Sequence, residues 1–194
     1  MEYFELTFFV DKCSVQVLDC IENILRENLQ LSTWRNPAEQ RSERILSNRE
    51  VVFECFTYQE KEYSEFMLSI GELYFTKKNF DQQVDDLTHL VHRCFQLSPY
   101  LSYATGIYET TYYWTSECST LSDVKQAALE HFPFLFFRDN ANKDHRFVER
   151  NGCFYFYQDH LQDIFANPIR SMMLDNQVSE DEAIKRLDIS NCHE

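Results

Sequence analysis

The sequence predicts an α+β protein built around an antiparallel sheet. Aromatic residues make up 15% of the 194-residue chain, which favours strands and large contact areas over a purely helical bundle. Segments with the two-residue repeat of a strand alternate along the chain with segments that have the longer repeat of a helix. The stretch RFVERNGCFYFY adds a hairpin, because Asn151 and Gly152 supply the positive φ values that a type I′ turn needs.

The first half of the chain is predicted to contain four strands and two long helices. A Phe-rich alternating segment begins it, and Leu18 and Leu25 then have the spacing of one helix face. In the connector that follows, Asn36, Pro37 and Glu39 suit the first positions of a short helix. The predicted elements are, in order, a strand at 3–10, a helix at 15–28, a short helix or ordered loop after Asn36, strands at 51–58 and 66–75, a helix that begins near 80, and a strand at 103–114.

The order of the long elements, β-α-β-β-α-β, is that of the ferredoxin-like arrangement. The match is one of element order alone. Such a unit would have a four-stranded antiparallel sheet with two helices on one face. We therefore predict a ferredoxin-like α+β unit over residues 1–116.

Residues 117–194 are predicted to form a second unit, which contains a helix, the β-hairpin and C-terminal helices. Thr120 and Asp123 can form the capping box of a helix at 121–131, and Phe134–Phe137 is typical of a buried strand. Because only three glycines and four prolines occur, no flexible linker separates the units. They are expected to pack closely or to form one continuous domain. The C-terminal helices are predicted at 159–166, 169–175 and 179–187.

The charge is strongly and evenly negative. Thirty-two acidic residues against eighteen basic ones give a formal net charge of −14. Such a field repels phosphate backbones, so general nucleic-acid binding is not expected. It attracts a basic protein and accelerates the encounter, although solubility is the simpler explanation.

Cysteine usage and hydropathy predict a cytoplasmic protein. The seven cysteines are odd in number and form no CxxC pair, which is typical of reduced thiols in the cytosol. The longest apolar run, residues 132–137, is far shorter than the roughly 18 residues of a membrane-spanning helix. No interaction with a membrane is therefore expected.

One candidate metal site lies in the stretch VDDLTHLVHRCF. Asp85, His89 and His92 follow an i, i+4, i+7 spacing that places them on one side of a helix. Carboxylate and imidazole groups on successive turns can hold a divalent metal. No fourth ligand can be assigned, however, and Asp85 with His89 is also an ordinary pair on a solvated helix face. The solvated face is the favoured interpretation.

The connector contains a candidate anion-binding site. Guanidinium groups match phosphate or carboxylate with two parallel hydrogen bonds. The alternative is ion pairing within a helix, since acidic residues lie between the basic ones. The candidate residues are Arg35, Arg41, Arg44 and Arg49, and the intervening acids are Glu39, Glu43 and Glu50.

A candidate partner-binding strip lies in YATGIYETTYYWTSE. Tyr108, Tyr112 and Trp114 would share one face of the predicted strand. These residue types dominate protein interfaces. The alternative is that the second half of the chain covers this strip.

No catalytic residue is predicted, because the chain has no GxxxxGK[ST], GxGxxG, HExxH or GxSxG motif. We expect a non-catalytic acidic factor of the inhibitor or immunity type that occupies a basic surface of a partner protein and has no cofactor. The alternative is a small metal-dependent or anion-binding enzyme that uses the Asp85, His89 and His92 helix face.

Overall fold

The computed structural model describes residues 3–29, 41–46, 49–71, 73, 75–76, 78–108, 115–139, 146–157, 179 and 182, with the backbone alone at 41–46, at 49–50 and at Tyr108. Within this part, eight strands form one antiparallel sheet and three helices pack against it. The predicted α+β class is thus confirmed. The predicted short helix after Asn36 lies outside the described residues, as do the C-terminal helices apart from Ser179 and Glu182.

Several predicted elements have the bounds that the sequence indicated, among them the first and third helices. None of the described helices is long and apolar enough to cross a membrane. The strands are β1 Tyr3–Asp11, β2 Arg41–Leu46, β3 Arg49–Thr57, β4 Tyr63–Gly71, β5 Tyr103–Tyr108, β6 Phe134–Phe137, β7 Val148–Arg150 and β8 Cys153–Tyr157, and the helices are α1 Val15–Asn28, α2 Phe80–Leu97 and α3 Leu121–His131.

The sheet is larger than the four strands expected for the first half of the chain. Its order is β2-β3-β4-β1-β5-β6-β8-β7, and all neighbours are antiparallel. β6 pairs with β5, so strands from both predicted units lie in one sheet. Phe134, Leu135 and Phe136 have no exposed surface, because apolar groups cover both faces of β6. The ferredoxin-like order is not confirmed, and the predicted division near residue 116 stays a prediction.

The strand β2 corrects the interpretation of the connector. Residues 41–46 form a strand paired with β3, with Arg41 opposite Glu54 and Arg44 opposite Val51. Ion pairing within a helix is therefore wrong for this segment. The apolar strand β3 needs a hydrogen-bonding partner along its outer side, and β2 supplies it.

The sheet carries a hydrophobic core on each face. On one face, Phe4 and Phe8 of β1 pack in the same core as residues of α1 and α2. On the other face, Phe9 of β1 packs in the same core as Tyr103 of β5 and Val124 of α3. Because side chains alternate along a strand, β1 supplies both cores and is buried along most of its length.

The predicted hairpin is confirmed. Asn151 and Gly152 have φ values of 52° and 82°, and Arg150 pairs with Cys153 across the turn. β8 also contacts α2. The turn therefore lies against the helix that carries the candidate metal ligands.

Candidate functional site

The Asp85 carboxylate contacts the hairpin. Arg150 Nε donates to Asp85 Oδ1 at 2.7 Å, and Asn151 Nδ2 donates to the same oxygen at 3.1 Å. These hydrogen bonds, the one from Arg150 foremost, lower the pKa of Asp85. Asn151 Nδ2 also donates to Thr88 Oγ1 at 2.8 Å. The hydrogen bonds of Asp85 thus hold the turn of the hairpin against α2.

The two histidines of the candidate metal site have separate surroundings. His89 is exposed, whereas the His92 ring lies against Gly152, where an added Cβ would come within 2.5 Å of the imidazole. The described residues contain no group of three or more His, Cys, Asp and Glu side chains that could hold a metal ion. The metal hypothesis for Asp85, His89 and His92 therefore gains no support and stays a prediction.

The arginines of the candidate anion site do not share a face of the sheet. Arg35 lies outside the described residues. Arg41 pairs with Glu54, and Arg44 pairs with Val51, so these two arginines hold register positions on opposite faces. Arg49 has the same register face as Arg44. An anion site that uses all of these groups has no basis in the described backbone and stays a prediction.

The aromatic strip is described only in part. Tyr108 ends β5 opposite Phe4, while Tyr112 and Trp114 lie outside the described residues. On the other face of β5, Tyr103 and Ile107 are buried in the core that contains α3 residues. The partner-binding role of Tyr108, Tyr112 and Trp114 stays a prediction.

Exposed carboxylates gather around one end of the sheet, which we call the acidic end. Its position is fixed by two backbone hydrogen bonds of 2.7 Å, from Glu62 N–H to the Ser119 carbonyl and from Lys12 N–H to the Glu62 carbonyl. These bonds join the β3–β4 turn to the end of β1 and to the segment before α3. The acidic end consists of Asp11, Glu60, Glu62, Glu117 and Asp123.

Asp123 belongs to the predicted capping box of α3, which the structure confirms. Its Oδ2 accepts the N–H of Thr120 at 2.8 Å and that of Ser119 at 3.3 Å. These bonds, with the Thr120 backbone first, lower the pKa of Asp123. Farther along α3 lies a surface depression of about 290 Å³, which is lined by Asp123, Gln126, Ala127, Glu130 and His131.

Beneath the acidic end lies a group of buried and partly buried polar side chains, which we call the Glu65 cluster. Tyr58 OH donates to Glu65 Oε2 at 3.3 Å. Lys61 Nζ donates to Tyr63 OH at 2.9 Å and to the Thr115 carbonyl at 2.8 Å. The same ammonium lies 4.3 Å from the ring centroid of Tyr58 and 5.1 Å from that of Tyr63, a cation–π geometry. The cluster thus consists of Tyr58, Lys61, Tyr63, Glu65 and Thr115.

Glu65 is an unusual group in this position because its side chain points into the sheet's covered face. It is 3% exposed, and its Oε1 has no hydrogen-bond partner among the described residues. Burial raises the pKa of Glu65 to about 6, although Lys61 and the hydrogen bonds of Tyr58 and Thr115 act in the opposite direction. This carboxyl therefore changes its charge close to neutral pH.

Two other hydroxyl groups share this face of the sheet. Tyr103 OH and Thr105 Oγ1 are buried, and neither has a hydrogen-bond partner among the described residues. Thr105 pairs with Thr7 across β1 and β5. The centre of the sheet is therefore more polar on the α3 side than on the side of α1 and α2.

The sequence interpretation missed the Glu65 cluster. It placed Lys61, Tyr63 and Glu65 between the predicted strands at 51–58 and 66–75, outside both. The available signal was the alternation of Tyr63, Glu65 and Met67, which places all three on one face of a strand that begins at Tyr63. A carboxylate in register with aromatic residues would have indicated an inward-facing acid.

Comparison of the chain with known protein families, with curated proteins and with solved structures gave no match. Function must therefore be argued from the geometry and charge of the described residues.

Proposed function

We propose that the protein is a non-catalytic, cytoplasmic binding factor of the inhibitor or immunity type, which occupies a basic surface of a partner protein. The observation that carries this proposal is the acidic end, where exposed carboxylates from three parts of the chain lie together. In a protein with a formal net charge of −14, such a surface attracts cationic partners over a distance of about 10 Å at moderate salt.

The arrangement of the lysines supports the proposal. Lys61 directs its ammonium onto the rings of Tyr58 and Tyr63, and Lys125 lies 5.5 Å from the ring centroid of Tyr103. These contacts hold the ammonium groups of two lysines against aromatic rings. Among the described residues, the exposed lysine at this end is Lys12, which faces the five exposed acids of the acidic end, so the acids dominate the outward field there.

The depression along α3 offers a fitting contact for a lysine or arginine of the partner. Ala127 supplies an apolar patch for the methylene groups, and Asp123 and Glu130 supply carboxylates for the charged head. A basic side chain would thus find both kinds of contact next to the acidic end.

We also propose that β1, β3, β4 and β5 with α1 and α2 form a ferredoxin-like unit that is extended by β2 and by β6. The supporting observation is that these four strands are consecutive in the sheet, in the order β3-β4-β1-β5. The unit would serve as the scaffold that fixes the β3–β4 turn of the acidic end.

The proposal is tested by charge reversal with a matched control. One variant carries Glu60→Lys, Glu62→Lys and Glu117→Lys at the acidic end; the control carries Asp19→Lys, Glu27→Lys and Asp86→Lys at exposed positions of α1 and α2. Three changes of two charges each bring both variants from −14 to −8. Partners are captured from an extract of the native host, identified, purified and titrated against each variant.

We expect the partner to be a basic protein, to bind the control variant nearly as well as the wild type, and to bind the acidic-end variant at least about tenfold more weakly. Equal loss in both variants would mean that only the total charge matters. Equal retention in both would mean that the acidic end is not the binding surface.

A further inference from the structure

We propose that Glu65 is a buried proton-binding site that controls the contact between the β3–β4 turn and the segment before α3. Lys61 makes part of this contact, because its ammonium donates to Tyr63 OH and to the Thr115 carbonyl. Tyr63 OH, which donates to the Thr115 and Cys118 carbonyls at 3.2 and 3.3 Å, and the Glu62 N–H make the rest. We call the two hydrogen bonds of the Lys61 ammonium the Lys61 bridge. It connects two segments that are more than fifty residues apart in the chain.

The Lys61 bridge depends on a nearby negative charge because both of its hydrogen-bond acceptors are neutral. An ammonium that leaves water for a partly buried position needs a compensating anion or excellent hydrogen bonds. Glu65 lies on the same face of β4 as Tyr63, two residues farther along, and its carboxylate attracts Lys61. When Glu65 is ionised, this attraction holds the ammonium in place.

The groups that face Glu65 divide into two sets. Lys61, Tyr58 and Thr115 favour the ionised carboxylate, whereas burial and the charge of Glu5 on β1 favour the neutral acid. Phe56 of β3 is the register partner of Glu65. Glu54, two residues before Phe56, lies on the same face of the sheet and adds negative charge there.

Three other ionisable neighbours, Tyr63, Cys118 and Asp123, do not titrate in the same pH range. Tyr63 interacts with Glu65 and with Cys118. Burial raises the pKa of the Tyr63 hydroxyl and of the Cys118 thiol above their ordinary values, so Tyr63 and Cys118 stay neutral near pH 6. Asp123 on α3 stays ionised, because hydrogen bonds from Thr120 lower its pKa.

Protonation of Glu65 removes its attraction for Lys61 and leaves the ammonium with neutral hydrogen-bond acceptors and the rings of Tyr58 and Tyr63. Full hydration then becomes the better alternative for the lysine, whose stem is flexible and partly exposed. The Lys61 bridge therefore opens as the pH falls through the titration of Glu65. The segment that carries Glu117 of the acidic end loses one of its attachments to the sheet.

Nuclear magnetic resonance on the full chain tests this directly. Labelling of the Glu carboxyl carbons and of Lys Cε follows Glu65 and Lys61 in one titration. Amide exchange at Cys118, whose N–H donates to the Thr115 carbonyl at 3.0 Å, reports on the segment before α3. Exchange rates are corrected for the intrinsic pH dependence of amide exchange.

We expect Glu65 and Lys61 to share a midpoint near pH 6, and the protection of Cys118 to fall about tenfold between pH 7 and pH 5. In Glu65→Gln, the Cys118 amide should show at both pH values the lower protection that the wild type has at pH 5. Lys61→Met, which keeps an apolar stem, should show the same. Glu27→Gln, a matched change at an exposed position of α1, should behave as the wild type.

Three results would overturn the proposal. Glu65 could titrate near the ordinary glutamate value of 4.5, Lys61 and Cys118 could be unaffected by its titration, or Glu65→Gln could keep the protection seen in the wild type at pH 7. None of these results depends on the identity of a partner, so failure here leaves the proposed function to its own test.

Discussion

At the scale of single residues, the chemistry of this protein is dominated by where each carboxylate lies. Asp85 and Asp123 accept short hydrogen bonds from neighbouring donors, and these bonds lower the pKa of each. Glu65 lies in the covered face of the sheet with one oxygen unpartnered among the described residues, and burial raises its pKa to about 6. The same functional group is thus a structural anchor in two places and a titrating group in the third.

Glu65→Gln is expected to stabilise the protein at pH 8. An acid whose pKa is higher in the folded state than in the unfolded state contributes stability at low pH that is lost as the pH rises from 4.5 through 6. A difference of one in pKa corresponds to about 1.4 kcal/mol. Ionisation of Glu65 therefore lowers the free energy of unfolding by about 2 kcal/mol above pH 7. The glutamine variant should recover about that amount in urea unfolding.

The pH profile is the decisive part of that measurement. At pH 3 the wild type and Glu65→Gln should have nearly the same free energy of unfolding, because the wild-type carboxyl is then almost entirely neutral in both states. Glu130→Gln, at an exposed position of α3, serves as the control. It should leave the free energy of unfolding almost unchanged at both pH values. A glutamine variant that is less stable than the wild type at pH 8 would contradict the argument.

At the scale of secondary-structure elements, the hairpin of β7 and β8 is held against α2 by side chains of its turn. Arg150 and Asn151 both donate to the carboxylate of Asp85. Gly152 lies against the ring of His92, with no room for a side chain between them. The helix face that suggested a metal site is therefore, in this structure, the surface against which the hairpin packs.

Gly152→Ala is expected to destabilise the protein by about 2 kcal/mol. The positive φ of 82° costs an L-residue roughly 1–2 kcal/mol, and the new Cβ would lie 2.5 Å from His92. Thermal unfolding measures the total effect. A double-mutant cycle with His92→Ala separates the two causes.

In the His92→Ala background, Gly152→Ala should cost less, because only the backbone term remains. An identical cost in both backgrounds would show that the imidazole does not restrict this position.

Local signals in the sequence were sufficient for those elements whose formation depends on neighbouring residues. The helix at Leu121–His131 has its own capping box, and the hairpin has its own Asn-Gly turn. β2 was not predicted, because RSERIL becomes a strand through pairing with β3 and has no strong strand signal of its own. Glu65 was missed for a similar reason: its burial depends on segments that are distant in sequence.

At the scale of the whole molecule, one sheet of eight described strands connects both halves of the chain, and its acidic end combines residues from three segments. The net charge and its even distribution along the chain could be predicted from the sequence. The concentration of exposed acids at one end could not, because it arises from the backbone bonds among Lys12, Glu62 and Ser119. The proposed binding function depends on this second property.

The central claim is that the acidic end attracts a basic partner through its electrostatic field. The most direct test is the association rate constant with the identified partner, measured from low salt to well above about 0.15 M ionic strength. We predict that association slows steeply as salt rises while dissociation changes little, and that the acidic-end variant loses most of this dependence. An association rate that is independent of salt would contradict the account.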